Sequence, residues 1–456
     1  MPHPFPAPRP ALVLALLALA GCASPPAPPP PDDDALPRWR RAFEALETQG
    51  AAHDLHQTES ADAPPPDYPP ETVARFTALV APFSLGPGET LRPPRLRGPE
   101  TPFPDHHPLR QIAALRTNLA RAALAAGDRP RALALVDANL AQARSTLREQ
   151  FGLIPLIHAQ GVWQSALDGV HALAADPGLT PAEARALLAE LEGDAGLASL
   201  ALNRALRGEY EDVYRVVVER MPATDDPDLL LSAVSMLGMD TPEPLPPGEP
   251  GLGLTDHPLL DVPATLAAYE ADLAPYLAAL ARETRLPRGL YASTTAVTLD
   301  GYRRELGAFF AYACDELPPG PLHLARARAD LLGTTNPGGK LLAVLLTPSW
   351  EPLLASALRR EAQRAALCGL LAWRVHGAPA DWSVLVAAGV LKTPPADPFA
   401  EPAAPLRHEL GKHPRVWSVH LDARDDGGIP VEGNVGQPDD LVWLLHPATA
   451  LATIDE

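Results

Sequence analysis

DPFAEPAAPLRHELGKHPRVWSVHLDARDDGGIPVEGNVGQPDDLVW, residues Asp397–Trp443, is where the character of the chain changes. Upstream, apolar residues recur at three- and four-residue steps in Ala/Leu-rich blocks, the period of helices. Within this stretch proline turns separate short runs that alternate apolar and polar, the period of strands, and a Gly-flanked acidic cluster follows them. The sequence thus predicts a mostly α protein, a multi-helix array of antiparallel hairpins, with a small C-terminal α+β tail.

Working back from the tail, Pro352 to His376 reads as a long helix with Leu354, Leu358, Ala365, Cys368, Ala372 and Val375 on one face, stopped by Gly377. Trp382 to Val390 is a short segment after it. Leu109, Ile112, Leu115 and Leu119, then Leu133, Val136, Leu140, Ala143 and Leu147, form two amphipathic stripes around the turn Ala126-Gly127-Asp128-Arg129-Pro130. This looks like one tetratricopeptide-type hairpin, but the Trp and Tyr of that repeat are absent and no second copy follows at its period, so a generic helical hairpin describes it better. Helices are also expected over 157–174, 181–191, 197–208, 211–221 and 264–283, the last with a kink or break at Pro275. Thr180, Pro181 and Glu183 spell a capped helix start. Tyr291 to Leu299, rich in Ser, Thr and Val, is the single β-prone run before the tail. Two further short helices are expected at 39–49 and 71–80.

The chain holds 56 prolines, gathered near the N-terminus and between helical blocks, where they serve as boundaries. With 37 basic and 56 acidic residues its formal charge is -19, which repels phosphate backbones over about 8 Å at physiological salt. Nucleic acid is excluded as a partner.

At the N-terminus, His3 and Arg9 precede an apolar run, Ala11 to Ala20, far short of the roughly 20 residues that span a bilayer. That is the pattern of a signal peptide. The run ends in Leu19-Ala20-Gly21-Cys22, which resembles the lipobox of bacterial lipoproteins. The resemblance implies that Cys22 takes up a diacylglyceryl group, becomes the acylated first residue of the mature chain and binds the lipid bilayer. The alternative is an ordinary secretory signal with a chance cysteine. Ala23 follows, with no Asp there, which favours the outer membrane, facing the periplasm. Ser24 to Pro37 has too few large apolar side chains to fold and reads as a semi-rigid tether. The expected organisation is a signal peptide at 1–21, a tether at 22–37, a helical domain at 38–240, a linker at 241–263, a second helical region at 264–392 and the tail at 393–456.

Beyond Cys22, the cysteines are Cys314 and Cys368, each on the apolar side of an expected helix. In an oxidising envelope they could close a loop worth roughly 4 kcal/mol as a disulfide. Two buried thiols acting as small hydrophobes are the other reading. Gly333 to Lys340 invites comparison with a phosphate-binding loop, but Thr334 stands where Gly is required and Leu341 follows the Lys, so it reads as a turn. Asp105-His106-His107 reads as a solvated helix start. No HExxH, GxSxG, SxxK or CxxC occurs in the mature region, and the sequence leans towards a non-enzymatic scaffold. Histidines 376, 408, 413, 420 and 446 gather near the tail, and an envelope hydrolase using His408, His420 and Asp422 is a competing reading.

The tail's order of elements resembles the C-terminal half of the major pseudopilin of type II secretion systems. The matching residues are Asp397-Pro398, Pro405-Leu406, Ser418, Asp422, Asp425-Asp426-Gly427-Gly428 and Asp439-Asp440-Leu441-Val442-Trp443. His420 stands where that family has Gly, and the lipobox replaces its prepilin cleavage motif. The resemblance implies a calcium ion in the acidic loop, with Asp422, Asp425, Asp426, Asp439 and Asp440 as candidate ligands, and a role beside a secretion apparatus. Calcium takes six to eight oxygens, which these residues could supply. The same acids are also ordinary solvated turn formers.

Overall fold

The computed structural model describes residues 34–48, 68–92, 107–220, 260–282, 294–308, 333–346, 350–378, 381–400, 404–410, 414–419 and 440–444, with residues 311, 326, 329, 330, 425 and 427. The protein is mostly helical and carries a small antiparallel sheet near its C-terminus.

The centre is the expected hairpin, α3 (His107–Ala125) and α4 (Arg129–Glu149). Gly127 turns the chain with φ +78, a value glycine adopts without strain, and the Asp128 side chain caps α4 by accepting from Arg131 N. Both apolar stripes face inward: Ile112, Leu115, Leu119, Val136, Leu140, Ala143 and Leu147 are all buried. Against this pair lies α5 (Leu153–Ala175), whose residues are apolar on nearly every side because α3, α4 and a late helix all pack on it. Several buried polar groups on these helices are matched across the contacts. Asn139 donates to the Ala113 carbonyl at 2.8 Å, Gln142 to that of Leu109 at 2.8 Å, and Thr117 to that of Ser165 at 2.7 Å.

Two short helices, α1 (Leu36–Thr48) and α2 (Pro70–Val80), sit over the hairpin with a 3-10 turn, Ala81–Phe83. Arg116 of α3, 1% exposed, fastens them: it donates to Gln142 and to the Phe83 carbonyl, with its guanidinium 5.8 Å from the Trp39 ring. Burial lowers its pKa to about 10, so it keeps its charge at neutral pH. Asp34, inside the stretch read as tether, is already anchored, forming a parallel bridge with Thr90 and accepting from Leu36 N and Arg92 N.

The capping box on α6 (Pro181–Gly193) forms as the sequence predicts, between Thr180 and Glu183. α7 (Leu197–Gly208) runs into a π-helical turn, Glu209–Tyr214, and then α8 (Arg215–Arg220), so the Val216-Val217-Val218 run is helical. α9 (Val262–Arg282) continues through Pro275 without ending there.

Of the β-prone run at 291–299, residues 294–299 are helical instead of extended, and 291–293 lie outside the described residues. Thr294 to Glu305 form a helix, α10, which packs on α9 and on α11 (Pro337–Leu346). Strand preference is a packing effect rather than a backbone rule, and helical neighbours override it here. Of the stretch from Gly333 to Lys340 that the sequence reads as a turn, only residues 334–336 bend, and Pro337 to Lys340 are already the first turn of α11; Asn336, at φ 48, accepts from Gly339 N and Asp261 N and ties α11 to α9.

α12 (Trp350–His376) crosses α5 and α6, ending at Gly377 with φ +91. Beyond it come α13 (Trp382–Ala387), a two-residue pair of strands β1 (Ala396–Asp397) and β2 (Ala404–Pro405), and a three-stranded sheet. In that sheet β4 (Arg415–Ser418) lies between β3 (Arg407–Glu409) and β5 (Leu441–Leu444), all antiparallel. His408, Val416 and Trp443 stand abreast on one face, and β4 and β5 pack on α12. One continuous set of buried side chains runs from Ala35 through the helices to Trp443.

Candidate functional site

Cys22, Asp422, Asp426, Asp439, Cys314 and His420 lie outside the described residues. Asp425 is occupied: it accepts from the Trp417 indole at 3.0 Å and from Gly427 N at 3.1 Å, and pairs with Arg407 at 2.5 Å. Burial is the largest single influence and pushes its carboxyl up, but the indole, the Gly427 amide and Arg407 together outweigh it and hold the group below the usual carboxylate range. Asp440 is buried at the head of β5. Among the described residues no three His, Cys, Asp or Glu side chains gather as a metal site. Cys368 is a buried thiol whose pKa burial pushes up to about 12, so it stays protonated and unreactive. His408 lies tilted 4.4 Å from the Trp382 ring and edge-on 5.8 Å from that of Trp373, packed between aromatic side chains.

What the fold does bring together is a tail keystone. Asp397 is 1% exposed, and its carboxylate accepts from Phe399 N at 2.9 Å, the Ser418 hydroxyl at 2.7 Å and Val419 N at 3.0 Å. Three donors from β4's end and the turn after β1 thus converge on one acidic group. Nearby, Trp382 donates to the Leu406 carbonyl at 2.8 Å and fits over Gly369 of α12, where a Cβ would come within 2.7 Å of its ring.

A second polar centre surrounds the π-helical turn. Gly208 lets the helix meet the backbone of Gly152, since a Cβ there would stand 2.7 Å from Gly152 N. That approach brings the enclosed carboxyl of Glu209 to the N-terminus of α5, where it accepts from Leu153 N at 3.3 Å. Tyr210, Tyr214 and Tyr269 stack beside it, with the rings of Tyr214 and Tyr269 3.8 Å apart, and Tyr210 donates to Glu270. π-Helical turns are often found at functional sites. Here burial, with Asp212 nearby, pushes the Glu209 pKa up to about 7, and burial likewise raises the tyrosines. A carboxyl with that pKa is suited to proton exchange, yet its hydrogen bond goes to a helix end and its neighbours are rings stacked on one another, so the arrangement works as packing.

Because Glu209 is raised above its ordinary value of 4.5, its contribution to stability is complete below about 4.5 and is lost as pH climbs through about 7. Glu209→Gln keeps an acceptor for Leu153 N and removes the charge. The variant is expected to melt higher than the parent at pH 8, by up to roughly 3 kcal/mol, and no differently at pH 4. Calorimetry at the two pH values checks this.

A third polar group sits where the sheet meets α5. His171 reaches the Leu444 carbonyl at 2.8 Å, and Asp168 accepts from Gln164 at 2.6 Å and Gln363 of α12 at 2.9 Å. The signal for it in the sequence is faint: an Asp and a His three apart on a helix that is mostly apolar. Elsewhere, a cavity lined by Leu36, Leu91, Leu109, Gln150 and His158 has room for about one water molecule.

No protein-family model matches the chain, and neither a curated protein nor a solved structure does.

Proposed function

We propose that the protein is a lipid-anchored lipoprotein of the bacterial cell envelope, tethered through acylated Cys22 and acting as a non-enzymatic interaction scaffold. The observation that carries this is Leu19-Ala20-Gly21-Cys22 at the end of a short apolar run. No helix of the described residues is long and apolar enough to cross a membrane, so a membrane attachment would fall to the acyl chains. Several buried groups are spent inside the fold, Glu209 on a helix end, His171 on a strand carbonyl and Asp168 on two glutamines, which suits a body whose work is to hold a shape. Mass spectrometry of the N-terminal peptide from solubilised envelope tests the reading. A mass for Cys22 carrying diacylglyceryl is expected, and an unmodified residue 22 still joined to the leader would overturn it.

A second reading, an accessory of a secretion or pseudopilus apparatus with a pseudopilin-like tail, is favoured by one observation. Asp397 and Ser418, both among the residues of that resemblance, are hydrogen-bonded to each other. Co-purification with pseudopilins from solubilised envelope is its test, and their absence from the purified complex would remove it.

A further inference from the structure

The chain joins the folded body at one end of α5. From Asp34 onward it is fixed: Asp34 Oδ1 accepts from Leu36 N at 2.9 Å and from Arg92 N at 3.0 Å, and Ala35 N donates to the Thr90 carbonyl at 2.8 Å. Leu36 then shares a small cavity with Pro155, His158 and Ala159, in the first two turns of α5. The C-terminal elements gather at the opposite end of that helix. His171 reaches the Leu444 carbonyl of β5, and Arg374 of α12 donates to the carbonyls of Ala174 and Ala175. Beside Arg374, the Trp373 ring stacks on Trp382 of α13 with centroids 5.5 Å apart. At a rise of 1.5 Å per residue, the stretch of α5 from Pro155 to Ala174 separates the two ends by about 28 Å.

We propose that the end of the body where Asp34 and Leu36 are fixed faces the lipid bilayer, and that α13 and the three-stranded sheet face away from it. The inference rests on the acylation of Cys22 proposed above, and its physical basis is length. Cys22 and Asp34 are 12 residues apart, a reach of at most about 40 Å. Turning the body over would oblige that segment to run back along α5, which takes up about 28 Å of the reach. The segment would then be nearly straight and robbed of conformational freedom. With the fixed end towards the lipid, no such return is needed. Charge does not decide the matter, because the exposed Arg40 and Arg41 of α1 are flanked in sequence by Asp32, Asp33 and Glu44. The partner of the near end is the bilayer surface itself, and the sheet end is the one that a protein partner meets first.

Energy transfer from the full, acylated chain to lipid tests this. One fluorophore is placed either at the near end, through Ile157→Cys, or on α13 at the far end, through Val384→Cys; both positions are exposed. Cys314→Ser is in the background, and Cys368 is buried. The vesicles hold phosphatidylethanolamine and phosphatidylglycerol with an acceptor dye on the head groups. Transfer in Ile157→Cys is expected to be about twice that in Val384→Cys or more, because of the offset of about 28 Å. A Gly/Ser insert of about 30 residues between Ser24 and Pro25 should bring the ratio close to one, since the reach then exceeds the body. Equal transfer at the two positions without the insert, more in Val384→Cys, or a ratio that survives the insert would each overturn the orientation. Flotation of the same vesicles separates this from the anchor. Chain that stays below the lipid removes the acylation of Cys22 and the orientation with it, whereas chain that floats and transfers equally removes the orientation alone.

Discussion

Asp397→Ala is expected to cost roughly 3–5 kcal/mol, because it strands three buried donors at once. The Ser418 hydroxyl and the amides of Phe399 and Val419 all depend on this carboxylate, and no water reaches a residue that is 1% exposed. Asp397→Asn should lose about half as much. Oδ1 takes Phe399 N and Ser418, so an amide oxygen can replace it; Oδ2 takes Val419 N, where an NH₂ would face another N–H. Denaturant titration followed by tryptophan emission ranks the two. Equal stability of the alanine variant and the parent would mean that the three bonds hold nothing.

Cys22→Ala is expected to move nearly all of the protein from the membrane pellet to the soluble fraction. Each buried CH₂ of an acyl chain contributes about 0.8 kcal/mol, so a diacylglyceryl group holds firmly where a bare polypeptide of charge -19 has no affinity for anionic lipid. Fractionation with an antibody against the body reads the outcome. Retention of the alanine variant in the pellet would point to another anchor, a partner protein or the uncut apolar leader.

Much of the helical body was legible because its signals are local. A 3.6-residue apolar stripe, the Gly127-Asp128 turn, the Thr180–Glu183 box and Gly377 each act within a few residues, and each does what its chemistry predicts. The run at 291–299 failed for the converse reason, since Thr and Val take their strand preference from neighbours that are helices here. The polar centres were illegible. Nothing near Arg116 in sequence says that Phe83 and Gln142 will surround it, and Asp168 and Asp397 meet partners from helices and strands far along the chain. The acidic tail shows the same limit: a family resemblance drew attention to Asp425, and nothing beside it in sequence says that Arg407 and Trp417 will bond to it.

α5 carries a further consequence for how the chain comes into being. Its wrapping of α3, α4 and α12 includes one partner that is synthesised long after it. A polypeptide emerging from its N-terminus must therefore display the α12-facing side of α5 with nothing yet to lie on it, a hazard for self-association at that stage. A helper that masks such surfaces, or slow release of the early hairpin until Trp350–His376 arrives, would decide the yield of the finished molecule more than any single contact in it.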